Sequence, residues 1–489
     1  MLKIYQGSFA FKIIETDDIT LIDNIKRYSF YSSINNSKSI FKISNAYYYI
    51  VEEQINKLSL KPEIIFSDEF KDIKIFEHTN IKLYDFQKEA VSKLINNDLF
   101  ILGDEVGLGK TITSLFALKN LEHENTKFLI VSPLSLIDMW KTNLKIFNLE
   151  NKTKIINYEK INADFDYSVN YDVVIFDEAS RLRNNTLFRT NALLIKFKKV
   201  WLLSAIPIER NPKDIYNIIT TFNKKYFFYN SFFKTFPIYE NVYTPKGLIN
   251  KIVGWKNLDI LNKQLKPIYI SRTRNDLLID SGKLEVIKEI LSPSKYMITE
   301  MDKIRHNMDN VLTLFGKLRL IIDGLDVNYN LIDMSKVELI KKYSNESKIL
   351  IFTSYNLVAK ELAKYLDNSL KVSGDNSLKE RTEILNKFKN DKNIKYLITT
   401  DIFKYGQNIS NADVIIHYDL PLTYATLTQR EGRNNRIDNI KEKRKIVYIL
   451  TKTYIDNRVY EIITTKKNLN EYVMKECLAK IGEIYEHRQ

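Results

Sequence analysis

Apolar and polar positions change rhythm repeatedly along the chain. Short continuous apolar runs occur at Leu99 to Leu102, within Lys127 to Pro133, at Val173 to Phe176 and at Val200 to Leu203. Lys154 to Asn157 reads as a further strand. Between these runs apolar residues recur at helical spacing, as in Ile137, Trp140 and Leu144. Runs of this length bounded by turn residues predict strands buried on both faces. Strands that alternate with helices predict a parallel sheet covered on both sides. The pattern returns after Ser335, with strands at Lys348 to Thr353, Tyr396 to Thr400 and Val414 to Tyr418 and a helix at Ala359 to Leu366. The predicted fold class is α/β, with two parallel-sheet lobes in tandem.

The flanking segments read differently. Residues 1–78 mix β-like runs (Phe9 to Ile14, Ile40 to Ile43, Tyr47 to Val51) with helix-like ones (Ile19 to Tyr28, Glu52 to Leu60), which predicts a small α+β accessory domain. The first lobe then covers 79–272. Within it, about 222–255 crowds Phe222, Tyr226, Phe227, Phe232 and Phe236 with lysines. Such interleaving can stack on nucleic-acid bases, or it can mark a protrusion that buries its aromatics, which is the reading favoured here. Residues 273–334 predict a helical connector, with one long helix from Asp302 to Leu320. The second lobe covers 335–470, and a C-terminal helix 471–489.

The candidate chemistry lies where strands end. After Leu99 to Leu102 comes Gly103-Asp-Glu-Val-Gly-Leu-Gly-Lys-Thr111, and then a helical stretch from Ile112. Strand, glycine-bearing turn and helix is the order a phosphate-binding loop needs. Gly107 and Gly109 let backbone N–H groups turn inward, and the helix start adds its positive dipole end. Lys110 can reach the β/γ-phosphates and the Thr111 hydroxyl can hold Mg²⁺. The strict loop pattern asks for Gly where this chain has Asp104. The strand Asp172 to Phe176 delivers Asp177 and Glu178, one suited to a metal shell and the other to orienting and deprotonating water. Gln87, upstream of the loop, carries an amide that can read an adenine edge. In the second lobe, Arg433 and Arg436 stand three apart on one face of a helical turn and could reach a γ-phosphate. Each feature alone also has a bland reading: a surface lysine, a solvated acidic pair, an ordinary salt bridge.

Charge adds a weaker hint. Lys and Arg number 74 against 60 Asp and Glu, a formal net charge of +14. Such an excess suits a polyanion partner, although AT-rich coding, which raises Lys, Asn, Ile and Tyr together, produces it as well. One cysteine, Cys477, excludes an internal disulfide and suits a reducing compartment. No apolar run approaches the length of a membrane span and no signal-peptide pattern is visible. The expectation is a cytoplasmic protein, bacterial or in a host cell, with the nucleus left open, and with no membrane partner.

In this order the motifs resemble the Swi/Snf-like family of superfamily-two helicase-related ATPases, over about 80–465. The resemblance is carried by Asp104 to Thr111, Val131-Ser-Pro-Leu-Ser-Leu136 with Trp140, Asn157-Tyr-Glu159 and Asp177 to Asn184. Gly254-Trp-Lys-Asn-Leu-Asp259, Ser271-Arg-Thr-Arg274, Gly374 with Arg381, Gly406 to Asn408, Gln429 to Arg436 and Thr453 to Arg458 extend it. The family's first motif begins with Asp, which accounts for Asp104. The resemblance implies two RecA-like lobes, ATP and Mg²⁺ as cofactors and double-stranded DNA as partner, with single-stranded or branched DNA also open. It implies nucleotide contacts from Gln87, Asp104, Gly107, Gly109, Lys110 and Thr111, metal held by Thr111 and Asp177, and catalysis by Lys110, Asp177, Glu178, Arg433 and Arg436. It places DNA-facing positions at Ser132, Trp140, Asn157, Ser354, Thr399 and Asn408. Ser180, Ile206 and Phe403 depart from the family pattern; none is a phosphate, metal or water ligand, so they bear on coupling more than on hydrolysis.

The expected activity is ATP-dependent translocation on duplex DNA by a monomer. A strand-separating or annealing helicase, and a DNA-binding scaffold switched by ATP with little turnover, stay as alternatives. Protein partners are not legible in the sequence.

Overall fold

A computed structural model describes residues 2–6, 11–25, 29–35, 38–66, 81–184, 186–208, 211–244, 247–274, 276–277, 283–305, 311–401, 412–432 and 443–463. The described chain forms two units, one holding the N-terminal and first parallel sheets and the other, Val106–Leu108 together with the chain from Arg274 on, the second parallel sheet.

The N-terminal sheet contains β1 (Leu2–Gln6), β2 (Phe11–Thr16), β3 (Ser29–Asn35), β4 (Lys38–Ser44) and β5 (Glu63–Phe66), in the order β3-β4-β2-β1-β5. All neighbours are antiparallel except β1 and β5. Tyr47 to Val51, expected as a strand, instead opens the helix Tyr48–Lys57. Tyr48, Val51 and Ile55 fall on one helical face and are buried, so tertiary burial overrides the β propensity of an aromatic, β-branched run. Tyr47 joins this domain to the next: its ring stacks on Phe228 at 5.2 Å and its hydroxyl accepts from the Phe228 N–H at 3.2 Å.

The first parallel sheet takes β6 (Leu99–Leu102), β7 (Phe128–Ser132), β8 (Thr153–Asn157), β9 (Asn170–Asp177) and β10 (Lys196–Leu203). An antiparallel ribbon follows, β11 (Pro237–Thr244) with β12 (Gly247–Trp255), before β13 (Tyr269–Ile270) returns to the sheet edge. The order β13-β6-β10-β9-β7-β8 is parallel throughout. β6 and β7 are buried along their whole length, as strands covered on both faces must be. The register sets Asp177 beside Leu203 and Leu203 beside Leu102. The carboxyl ends of β9, β10 and β6 are therefore level, and open parallel sheets bind ligands at that edge.

The second parallel sheet holds β14 (Lys283–Leu291), β15 (Ile349–Phe352), β16 (Ser369–Val372), β17 (Tyr396–Thr399), β18 (Val414–His417) and β19 (Lys443–Thr451), in the order β14-β19-β18-β15-β17-β16. Its neighbours are all parallel. The stretch 273–334, expected as a helical connector, thus supplies an edge strand as well as the helices Lys295–Arg305 and Val311–Ile322. Residues 306–310, inside the expected long helix, and the C-terminal helix expected at 471–489 lie outside the described residues. The aromatic cluster behaves as the packing reading expects: Tyr226, Phe227, Phe232 and Phe236 are buried.

Candidate nucleotide site

The loop after β6 is set by backbone conformation. Gly107 and Gly109 have φ of +90° and +83°, in the left-handed region that side chains resist. At Gly109 space closes as well, because an added Cβ would lie 2.5 Å from Gln87 Nε2. Gln87 is buried at the start of the helix Asp85–Asn96, and its Oε1 accepts from the Tyr84 N–H at 3.1 Å. The adenine-reading candidate and the phosphate-loop candidate therefore touch.

Lys110 opens the helix Lys110–Leu121 and folds back over the loop. Its Nζ donates to the carbonyls of Asp104 at 2.6 Å and Glu105 at 3.3 Å. Burial pushes its pKa below the usual lysine range, against the carboxylates of Glu178, Asp104 and Asp177. Thr111 is half-buried on the same first turn.

Asp177 ends β9 with its carboxylate held from several sides. Trp140 Nε1 donates to Oδ2 at 2.8 Å, Ser132 Oγ to Oδ2 at 3.3 Å and the Glu178 N–H to Oδ1 at 3.0 Å. The Tyr158 hydroxyl fixes the same residue through its carbonyl, at 2.7 Å. Burial raises the Asp177 pKa, while Trp140 and Lys110 oppose the rise. Glu178 follows with φ +54° and ψ +51°. For a non-glycine residue that conformation costs on the order of 1–3 kcal/mol, and such strain clusters at functional sites.

Several expected positions take other roles. Asp104 is buried and bonded bidentately to Arg272, Oδ1 to Nε at 3.0 Å and Oδ2 to Nη2 at 2.8 Å. Its carboxylate is committed to that pair. Arg272 also donates from Nη1 to the Phe86 carbonyl and to Glu89, and its guanidinium lies 5.1 Å from the Phe86 ring centroid. It thereby ties the Gln87 helix to the loop, a role that a pair 168 residues apart in sequence does not announce. Ser132 and Trp140, expected to face DNA, are turned into the core and bonded to Asp177. A buried indole N–H needs a partner, and for Trp140 the Asp177 carboxylate supplies it. Asn157 is half-buried at the end of β8.

In the second parallel-sheet unit, Thr399 is fully buried, with its hydroxyl on the Thr400 carbonyl at 3.1 Å, which removes it from any DNA-facing surface. Ser354 is half-buried and bonded through its hydroxyl and its N–H to Asp419. Asp419 also accepts from Thr353 at 2.5 Å and Arg319 at 3.2 Å. Arg430 reaches Asp401 at 2.7 Å, the Asp419 carbonyl at 3.0 Å and Ser354 Oγ at 3.2 Å. Burial would raise the Asp419 pKa, but Arg319 and Arg430 outweigh it and hold the carboxyl below its usual range. Asn408, Arg433, Arg436 and Phe403 lie outside the described residues.

Residues 86–164 match the SNF2-related domain and residues 332–438 the helicase conserved C-terminal domain. Together the two matches make the chain similar to superfamily-two helicases of the Snf2-like kind. An uncharacterized ATP-dependent helicase of Mycoplasma pneumoniae is 25% identical over 455 residues, covering 80% of this chain and 42% of that protein. An uncharacterized ATP-dependent helicase of Bacillus subtilis is 25% identical over 448 residues, covering 80% and 79%. The chromodomain-helicase-DNA-binding protein 1-like of Mus musculus is 23% identical over 474 residues, covering 83% and 51%. The chain thus spans about two-fifths of the Mycoplasma relative and half of the mouse one. Among solved structures, the Sulfolobus solfataricus SWI2/SNF2 ATPase core in complex with dsDNA aligns with a TM-score of 0.40 and 20% identity, over 83% of this chain and all of that one.

Proposed function

We propose that this protein hydrolyses ATP and uses the cycle to track along double-stranded DNA. The observation that carries the hydrolytic part is the level carboxyl edge of β6, β10 and β9. It sets Gly109 and Lys110, which follow β6, on the same edge as Asp177 and Glu178 at the end of β9.

The residues fit ATP with a divalent cation. Lys110 now satisfies backbone carbonyls, a weak commitment that a phosphate oxygen can replace. Thr111 and Asp177 are oxygen donors of the kind Mg²⁺ takes. Bound there, the cation would neutralise charge on the phosphates. Gln87 lies against the loop and would read the adenine edge. Trp140, Ser132 and the Glu178 N–H fix the Asp177 carboxylate, so little reorganisation is left for the reaction. Glu178 would orient the attacking water and take its proton. Arg433 and Arg436 are assigned by resemblance alone. DNA as the track is supported by the family and by the net charge of +14.

ATP turnover measured without nucleic acid, then with single-stranded DNA, duplex DNA and duplex RNA, tests the reading. Stimulation by duplex DNA above the others is expected. Stimulation by single strands alone would move the assignment to strand separation or annealing, and bound ATP without turnover would make the chain an ATP-switched scaffold.

A further inference from the structure

The β11–β12 ribbon is exposed along most of its length. It leaves a firm root: Phe236 and Phe232 are buried, Trp255 packs against Phe232, and the Lys256 N–H donates to the Phe236 carbonyl at 2.8 Å. Beyond the root it forms a separate two-stranded sheet with exposed residues on both faces. Its eight-residue strand would extend roughly 25 Å. Isolated two-stranded ribbons are marginal in water, yet Tyr243 is 85% exposed, Leu248 54% and Ile249 44%. Exposed apolar residues in one place mark an interaction surface.

The register identifies what that surface suits. Tyr243 pairs with Leu248, and the next pair on the same face is Asn241 with Asn250, both exposed. Asparagine is a poor strand former, so sheet stability does not explain an asparagine pair mid-ribbon. Amides both donate and accept, as base edges require, and aromatic rings stack on bases whatever the sequence. Residues 234–256 carry four lysines (Lys234, Lys246, Lys251, Lys256) against one acidic residue, Glu240, a balance that complements a polyanion. A two-stranded β-ribbon also fits the major groove.

We propose that the β11–β12 ribbon is a base-contacting arm for DNA, with Tyr243 and Leu248 against base faces, Asn241 and Asn250 at base edges and Lys234, Lys251 and Lys256 on phosphates. The proposal rests on DNA being the track. In the full chain, a Tyr243→Ser/Leu248→Ser variant and an Asn241→Ala/Asn250→Ala variant are compared with wild type by anisotropy on duplex, forked and single-stranded DNA across a salt series. Loss of stacking should raise the Kd roughly five- to hundred-fold. The salt slope should stay unchanged because phosphate contacts are intact, and DNA-free ATP turnover should also stay unchanged. Iodouridine-substituted DNA should crosslink within 237–255. The fork-against-duplex ratio for wild type distinguishes a junction from a groove as the contact. Equal affinity in wild type and both variants, or a dimer that the variants dissolve while DNA affinity holds, would overturn the arm and leave the track assignment standing. A wild type that binds no DNA would overturn both.

Discussion

Glu178 and Asp177 show how much one position depends on its neighbours. Glu178 sits in a left-handed conformation next to a carboxylate whose oxygens are already fixed by Trp140, Ser132 and the Glu178 N–H itself. A Glu178→Gln variant keeps the side chain's shape and removes its capacity to take a proton, the role proposed for it. Turnover should fall by about 10²- to 10⁴-fold while ATP still binds, as nucleotide binding and single-turnover measurements would show; normal turnover would remove Glu178 from the role. Arg272 makes a different prediction. Removing one partner of a buried ion pair leaves the other charge unpaired, so Arg272→Met should cost about 3–5 kcal/mol of stability. An Asp104→Leu/Arg272→Met double variant should recover most of that loss in urea unfolding, because an apolar pair leaves no stranded charge. If the double variant loses as much as the two singles together, the pair is not coupled.

At the scale of elements, the phosphate loop was the most legible part of the chain. An apolar run, spaced glycines and a helix start are local signals, and the structure builds that order. The partners of the loop were not legible, because Arg272 with Asp104 and Trp140 with Asp177 are brought together by the sheet rather than by sequence spacing. Strand β14 was missed for another reason: Lys283–Leu291 does not alternate strictly, and Leu284, Ile287 and Leu291 among charged residues also suit the spacing of a solvated helix. Gly109→Ala joins element to chemistry. A side chain there meets both the +83° φ and Gln87, so ATP affinity should fall at least ten-fold by equilibrium binding, with the fold retained.

Strand β18 carries a titration prediction of its own. His417 is fully buried, its ring 5.9 Å from Phe352 and 5.2 Å from Tyr448. Glu431 lies 3.7 Å from its Nε2 but accepts from the Tyr448 hydroxyl. Burial, reinforced by the Arg430 charge, pushes the His417 imidazole well below its usual range. The unfolded chain takes up this proton near about pH 6.5 and the folded one does not. Stability is therefore full above that pH and falls as pH drops through it, by up to about 1.4 kcal/mol per pH unit. His417→Phe should flatten this part of the stability–pH curve in denaturant titrations; an unchanged slope would mean that the ring protonates in the fold.

At the scale of the whole molecule, one chain carries two parallel sheets, each with strand ends rich in hydrogen-bonded polar residues. The sequence patterns announced both sheets, since buried strands must be apolar throughout. They did not announce which polar residues at the strand ends turn inward, because Ser132 and Thr399 read the same whether they meet a carboxylate, a carbonyl or a phosphate. Phosphate-directed tracking should weaken with salt at a log–log slope of about −0.9 per phosphate neutralised. The most direct test of the central claim is displacement of a third strand from a DNA triplex by the wild-type chain and by Glu178→Gln. ATP-dependent displacement by wild type and none by Glu178→Gln is the predicted result. Robust ATP hydrolysis on duplex DNA with the triplex left intact would contradict tracking.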